Sequence, residues 1–241
     1  MIAFAKRFLN HPSIYFWARH VAMLGLPFRQ WVRLYGLDDP AQRVGDIGCG
    51  PADILRYVAR ERLPSRYVGV DVSEVYLDRA KLRAKRCGVD AEFVQIDLTL
   101  LNDDPATRRA LTEVLHNNRV SRVLLLGIIH HIDDESSLRL FDLLAGVPTI
   151  QTIVTQDVVM IDDARINNAY ARRDRGQFVR DVPSYLRLFK NAKWHVSRTD
   201  WTSPGLWPVK YVHFTLERRT QPDGEILSAS RNTADPSLDP A

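Results

Sequence analysis

Short runs of consecutive apolar residues alternate along this chain with longer stretches whose apolar residues recur at helical spacing. The runs are about Gln42 to Ile47, Tyr67-Val68-Gly69-Val70-Asp71, Ala91 to Ile96, Val123-Leu124-Leu125-Leu126 and about Thr149 to Thr155. Runs of this length without polar alternation read as strands covered on both faces. Between them the pattern predicts a helix after Gly50 with Ile54, Leu55 and Val58 on one face. A second helix spans Glu74 to Arg86, begun by Ser73 and closed by Gly88. A third follows the polar turn Asn102-Asp103-Asp104-Pro105 and runs to about His116, and a fourth runs from Asp133 or Asp134 to Ala145. Residues 161–189 read as two helical pieces broken near Asp174-Arg175-Gly176. The final strands are about Trp194 to Thr199 and Lys210 to Glu217, with no helical pattern between them. Strand–helix alternation closing on two neighbouring strands predicts an α/β fold. It is a seven-stranded, mostly parallel sheet with helices on both faces and an antiparallel edge hairpin.

The layout expected is an N-terminal helical cap over residues 1–40, a main domain over 41–219 with residues 161–190 as a lid, and a disordered tail over 220–241. The tail is rich in Pro, Ser, Asp and Asn and poor in large apolar residues. At 241 residues the chain can bury a full core. It contains no uninterrupted apolar run of about 18 residues, so no transmembrane helix is expected. The two cysteines, Cys49 and Cys87, form neither a disulfide framework nor a metal-binding spacing, which suits a reducing, cytoplasmic setting. Residues 1–37 hold no Asp or Glu but carry Lys6, Arg7, Arg19, Arg29 and Arg33. An acid-free basic segment can be a transit peptide or lie weakly on a membrane surface. The aromatic residues within it, such as Phe4, Phe8, Tyr15 and Trp31, favour helices packed on the core.

Chemistry enters at Arg43-Val44-Gly45-Asp46-Ile47-Gly48-Cys49-Gly50-Pro51. Gly48 and Gly50 allow a tight turn and close approach of a ligand, and Pro51 suits the first turn of a helix. Free N–H groups at that helix start would then face the ligand. A dinucleotide fingerprint needs a small residue where Asp53 stands, and a carboxylate there would oppose a diphosphate. Asp71, Asp97 and the pair His130-His131 close successive strands, and an open parallel sheet binds ligands beyond its carboxyl ends. Asp71 stands where an acid can accept from both ribose hydroxyls.

Taken together, Asp46-x-Gly48-x-Gly50, Val70-Asp71-Val72-Ser73, Gln95-Ile96-Asp97 and Leu126-Gly127-Ile128-Ile129-His130-His131-Ile132-Asp133 resemble the motifs of class I S-adenosylmethionine-dependent methyltransferases. The match is nearest to the small-molecule group with a His-His-Leu-type run after strand four. It covers about Ala41 to Glu135, and is looser beyond, where Gly146-Val147-Pro148 replaces the usual Pro-Gly-Gly. The resemblance implies a Rossmann-like fold and S-adenosylmethionine as cofactor, with S-adenosylhomocysteine as product. It assigns the cofactor to Asp46, Gly48, Gly50, Asp71, Val72, Asp97, Leu98, Gly127 and Ile128. Asp97 would meet the adenine amine, Leu98 the ring through its N–H, and Gly127 with Ile128 the methionine portion. It further implies methyl transfer to an O or N atom of a small molecule by in-line displacement, which positioning alone can accelerate greatly. His130 and His131 are the candidate bases for the acceptor's proton, packing of the loop being their other use. No metal is expected, because adjacent histidines rarely converge and no third ligand is evident.

Arg165, Arg172, Arg173, Arg175, Arg180 and Arg187 follow strand five, interleaved with Tyr170, Phe178 and Tyr185. Their guanidinium forks would suit an anionic acceptor, and the alternative is a solvated basic face. Asp174-Arg175-Gly176-Gln177 resembles a lid turn in some relatives, which singles out Arg175. Tyr15, in the N-terminal segment, is the second candidate acceptor contact. Two rival functions remain at this stage. A nucleic-acid methyltransferase, acting on RNA for example, is disfavoured by the lack of an Asn-Pro-Pro-Tyr-type run after strand four and of an appended binding domain. A nicotinamide-dependent oxidoreductase is opposed by Asp53 and Asp97, whereas a non-catalytic cofactor-binding module would show the same motifs.

Overall fold

The strand before the glycine turn lies inside the sheet and is buried on both faces from Val44 to Ile47. The computed structural model describes residues 28–173, 176–189, 193–203 and 209–219. The proposed cap falls largely outside these residues, as does the tail beyond Arg219. In chain order the elements are α1 (Phe28–Leu34), β1 (Arg43–Ile47), β2 (Arg66–Asp71), α2 (Glu74–Cys87), β3 (Ala91–Gln95), α3 (Pro105–Asn117) and β4 (Arg122–Leu126). They continue with α4 (Asp134–Gly146), β5 (Thr152–Met160), α5 (Arg165–Ala171), β6 (Arg180–Asp181), α6 (Val182–Leu188), β7 (Trp194–Thr202) and β8 (Tyr211–Arg218).

The strands form a mixed sheet of order β3-β2-β1-β4-β5-β8-β7, with the two-residue β6 beside β5. Five strands run parallel from β3 to β5, and β8 lies antiparallel between β5 and the edge strand β7. The α/β Rossmann-like sheet with an antiparallel edge hairpin is therefore as expected. Strand order reverses between β1 and β4, so a crevice opens beyond their carboxyl ends.

Helix boundaries follow local chemistry. Ser73 Oγ accepts from the Tyr76 N–H at the start of α2, and Gly88 closes that helix in the left-handed region. Asp104 caps α3 through the Ala106 and Thr107 N–H groups, and Asp133 caps α4 through Ser136. Two apolar layers hold the helices to the sheet. Leu111, Leu115, Leu140, Phe141, Leu144, Leu188 and Phe189 build one against Val123, Leu125, Ile153 and Phe214. Trp31, Tyr35, Leu55, Ala80 and Ala84 build the other against Val44, Tyr67, Leu124 and Val154. Each buried Leu, Val or Phe contributes roughly 1.5–3 kcal/mol, so these layers are the main source of stability.

Three expectations are corrected. The stretch after Gly50 is not an α-helix: Ala52 takes a left-handed conformation, 3-10 turns cover Asp53–Tyr57 and Arg60–Arg62, and Val58 is extended. Leu55 and Val58 nevertheless both reach the core, so burial overrides helix propensity there. Strand five starts later and runs farther, to Met160, because Gln156 and Asp157 find polar partners inside the protein and do not end it. Within 161–189 the helices α5 and α6 are short, and β6 lies between them. Among the described residues, no helix is long and apolar enough to cross a membrane.

Candidate functional site

The glycine turn leaves β1 at its carboxyl end and folds back on β2. Gly48 and Gly50 have φ of 75° and 52°, the left-handed region that favours glycine. The Gly48 and Cys49 N–H groups both donate to the Val70 carbonyl, at 2.7 and 3.0 Å. The Gly50 N–H donates to Asp71 Oδ2 at 2.9 Å. All three turn donors are therefore spent inside the protein. This overturns the expectation that free N–H groups at a helix start face the ligand. The turn offers a ligand bare backbone surface and a carboxylate, not a nest of donors.

The two glycines have different surroundings. A Cβ at Gly48 would collide with the Ile128 side chain, whereas one at Gly50 would enter open space. Ile128 therefore lies across Gly48, and the accessible side of the turn is at Gly50. Asp71 also accepts from the Ser73 N–H through Oδ1 at 2.8 Å, so each of its oxygens has one fixed donor and a further lone pair. Next to it, Val72 is 55% exposed and lies on the surface at the end of β2.

Asp46 is buried, and its carboxylate accepts the Tyr67 hydroxyl in a short hydrogen bond. Burial and the neighbouring Asp46 charge push the Tyr67 hydroxyl well above its ordinary pKa, so it remains a donor. Burial likewise pushes the Cys49 thiol up, leaving a neutral, inert side chain against β2. Asp53 makes ion contacts with Arg83 at 2.8 Å and Arg56 at 3.5 Å, so arginines occupy the acid that argued against a diphosphate. Asp97 ends the β3 segment and accepts the Thr99 N–H and hydroxyl through Oδ1, at 2.9 and 2.7 Å. Leu98 packs partly buried against the core.

At the end of β4, Gly127 has φ 75° and donates to the Gln156 carbonyl at 2.6 Å. His130 and His131 lie in a 3-10 turn, Ile129–His131, but in different surroundings. His130 is buried, with its backbone N–H and ring Nδ1 at 3.1 and 2.7 Å from Asp157 Oδ1. His131 is exposed, its ring centroid 4.3 Å from that of His130. Gly176 rests against the His130 ring, where any Cβ would collide, and Phe178 N–H donates to the His130 carbonyl.

Sequence reasoning missed Asp157, Gln156 and Tyr35. The available signal was a Gln-Asp pair inside an otherwise apolar β5, since a buried carboxylate requires a partner. Gln156 Oε1 accepts the Tyr35 hydroxyl at 2.9 Å. Arg180 and Tyr185, grouped with possible lid contacts, turn inward. Arg180 donates to the Ile129, Ile132 and Phe178 carbonyls, and Tyr185 donates to Val158. Arg165, Arg172 and Arg173 are exposed. Tyr15 and Arg175 lie outside the described residues.

Residues 44–147 match the model of a methyltransferase domain family. That segment is thus similar to methyltransferase domains. The ubiquinone biosynthesis O-methyltransferase of Candida albicans mitochondria is 33% identical over 97 residues, 38% of this chain and 30% of that protein. The chain thus spans less than a third of that relative's length. The pyocyanin biosynthetic protein PhzM superposes with a TM-score of 0.63 at 17% identity, covering 90% of this chain and 62% of that one. Magnesium protoporphyrin IX methyltransferase of Synechocystis PCC 6803, solved with S-adenosylhomocysteine, gives 0.57 at 14% identity over 91% of this chain and all of that one. At these identities the two structures establish the shared fold.

Proposed function

We propose that the chain transfers a methyl group from S-adenosylmethionine to an oxygen or nitrogen of a small-molecule acceptor. The observation that carries this reading is the spent glycine turn beside Asp71. A diphosphate needs N–H donors at its βα turn. Here Gly48, Cys49 and Gly50 have none to offer, while Asp71 keeps lone pairs for a ribose diol. The residues present fit the cofactor: open space at Gly50 admits it, and Asp71, Val72, Asp97 and Leu98 border the same strand ends. Bound S-adenosylmethionine would supply a methyl group activated by its sulfonium.

The remaining work falls to the chain. Asp71 holds the ribose, with its own position fixed by two N–H donors. Asp97 has Oδ2 left for the adenine amine, because Oδ1 is taken by Thr99. Asp157 holds the His130 ring through Nδ1, so His130 is the oriented candidate for taking a proton from the acceptor. The likeness to an O-methyltransferase supports an oxygen nucleophile, and a nitrogen nucleophile would use the same relay.

The test is calorimetric titration of the protein with S-adenosylhomocysteine, with NAD as comparison. Micromolar binding, worth about −8 kcal/mol, abolished in Asp71→Ala, is the expected result. Binding of NAD in its place, or S-adenosylhomocysteine binding indifferent to Asp71→Ala, would overturn the reading.

A further inference from the structure

Near the carboxyl end of the sheet, β5 carries a side-chain donor that the protein leaves unspent. Gln156 is in register with Leu126 on β4, and its carbonyl accepts the Gly127 N–H at 2.6 Å. It therefore stands beside the loop whose Ile128 lies across Gly48. Side chains alternate along a strand. Val154 packs into the layer that holds Trp31 and Tyr35, so Gln156 takes that face, and Asp157 takes the other, where it holds His130. Tyr35, fully buried just after α1, donates its hydroxyl to Gln156 Oε1 at 2.9 Å. That bond orients the amide. Nε2 keeps both of its N–H donors, since among the described residues none accepts from it. Gln156 is partly exposed, so a ligand can reach those donors.

We propose that Gln156 binds the carboxylate at the methionine end of the cofactor, an inference that rests on the reading of S-adenosylmethionine as that cofactor. A carboxylate taken out of water needs N–H or O–H donors. The Gly48, Cys49 and Gly50 N–H groups are spent on Val70 and Asp71, so the glycine turn supplies none. The Gln156 amide, across β4 from that turn, supplies two. The acids on its face do not oppose an anion there. Asp46 is in register with Leu124, lies two strand spacings or roughly 10 Å away, and is engaged by the Tyr67 hydroxyl. Asp200 lies two strands away on the other side, beyond His213, and is held by Arg198. The methionine end is a zwitterion, and donors at Gln156 with an acid at Asp46 match both of its charges.

The full chain is titrated by calorimetry with S-adenosylhomocysteine and with its decarboxylated analogue, which keeps the thioether and the amine. The parent is expected to prefer S-adenosylhomocysteine, because the analogue leaves the amide unpaired. In Gln156→Leu that preference should shrink about tenfold or more, with affinity for the analogue unchanged. Gln156→Glu keeps an acceptor for Tyr35 but replaces the donor with an oxygen, so it should lose the preference too. A preference of parental size in both variants, or equal weakening of both ligands, would overturn the proposal while leaving the cofactor reading in place. Failure of the parent to bind S-adenosylhomocysteine would overturn both.

Discussion

His130 reaches one oxygen of Asp157 twice, through its backbone N–H and through ring Nδ1. The other oxygen, Oδ2, is buried and has no hydrogen-bond partner. Burial raises the Asp157 pKa, and the His130 hydrogen bonds oppose that rise without cancelling it. β5 therefore carries a carboxylate that orients the histidine at a cost to stability.

The cost and the benefit separate by experiment. A carboxyl whose folded pKa is raised contributes most stability below its unfolded value, near 4, and loses it as pH rises through the folded value. Asp157→Asn removes that loss, so near pH 7 it should be as stable as the parent or more so in urea. Methyl transfer should nevertheless fall by about 10²-fold or more, in kcat more than in KM for S-adenosylmethionine, with an altered pH–rate profile. An unchanged profile would show that Asp157 only packs the loop.

Arg180 is 8% exposed and donates to three carbonyls around the His130 turn. Its partner Asp134 is largely exposed, so that ion pair adds little. Arg180→Met should cost about 2–4 kcal/mol, since three acceptors lose a charged donor. Asp134→Ala should cost no more than about 1 kcal/mol. Chemical denaturation of both variants measures the contrast.

Gly48 and Gly50 should respond differently to alanine. At Gly50 the cost is left-handed backbone strain, about 1–2 kcal/mol, together with weaker S-adenosylhomocysteine binding. Gly48→Ala adds a collision with Ile128, for a further 1–3 kcal/mol or so. Melting curves should show Ile128→Ala recovering stability in the Gly48→Ala background but not in Gly50→Ala.

His213 is fully buried between β5 and β7, accepts or donates at Thr202 Oγ1 through Nε2, and stacks near Tyr35 and Trp31. Burial lowers its pKa from 6.5 to about 4. The unfolded chain therefore binds a proton that the folded chain refuses, and stability falls as pH drops from 6.5 towards 4. The full effect is on the order of 3 kcal/mol. In His213→Gln the urea midpoint should lose much of this dependence. A parallel pH profile for parent and variant would disprove it.

Elements announced by strong local signals were legible in the chain itself. Ser73, Asp104 and Asp133 cap the helices they precede, Gly88 ends α2, and the apolar runs of β1, β2 and β4 lie in the sheet interior. The placing of Gly48, Gly50, Asp71, Asp97 and His130 at strand ends also followed from strand periodicity and the carboxyl-end rule. The stretch after Gly50 did not follow, because its helix propensity is outweighed by the burial of Leu55 in a short turn and of Val58 in the extended link after it.

Sequence determined the order of strands and helices, their caps and the acids at the carboxyl edge, since these rest on residues close in the chain. Only the tertiary structure decided that the glycine-turn donors are spent on Val70 and Asp71, that Ile128 covers Gly48, and that Asp157 orients His130. Those contacts join residues distant in sequence, and a buried polar group's partner is set by which strands lie side by side.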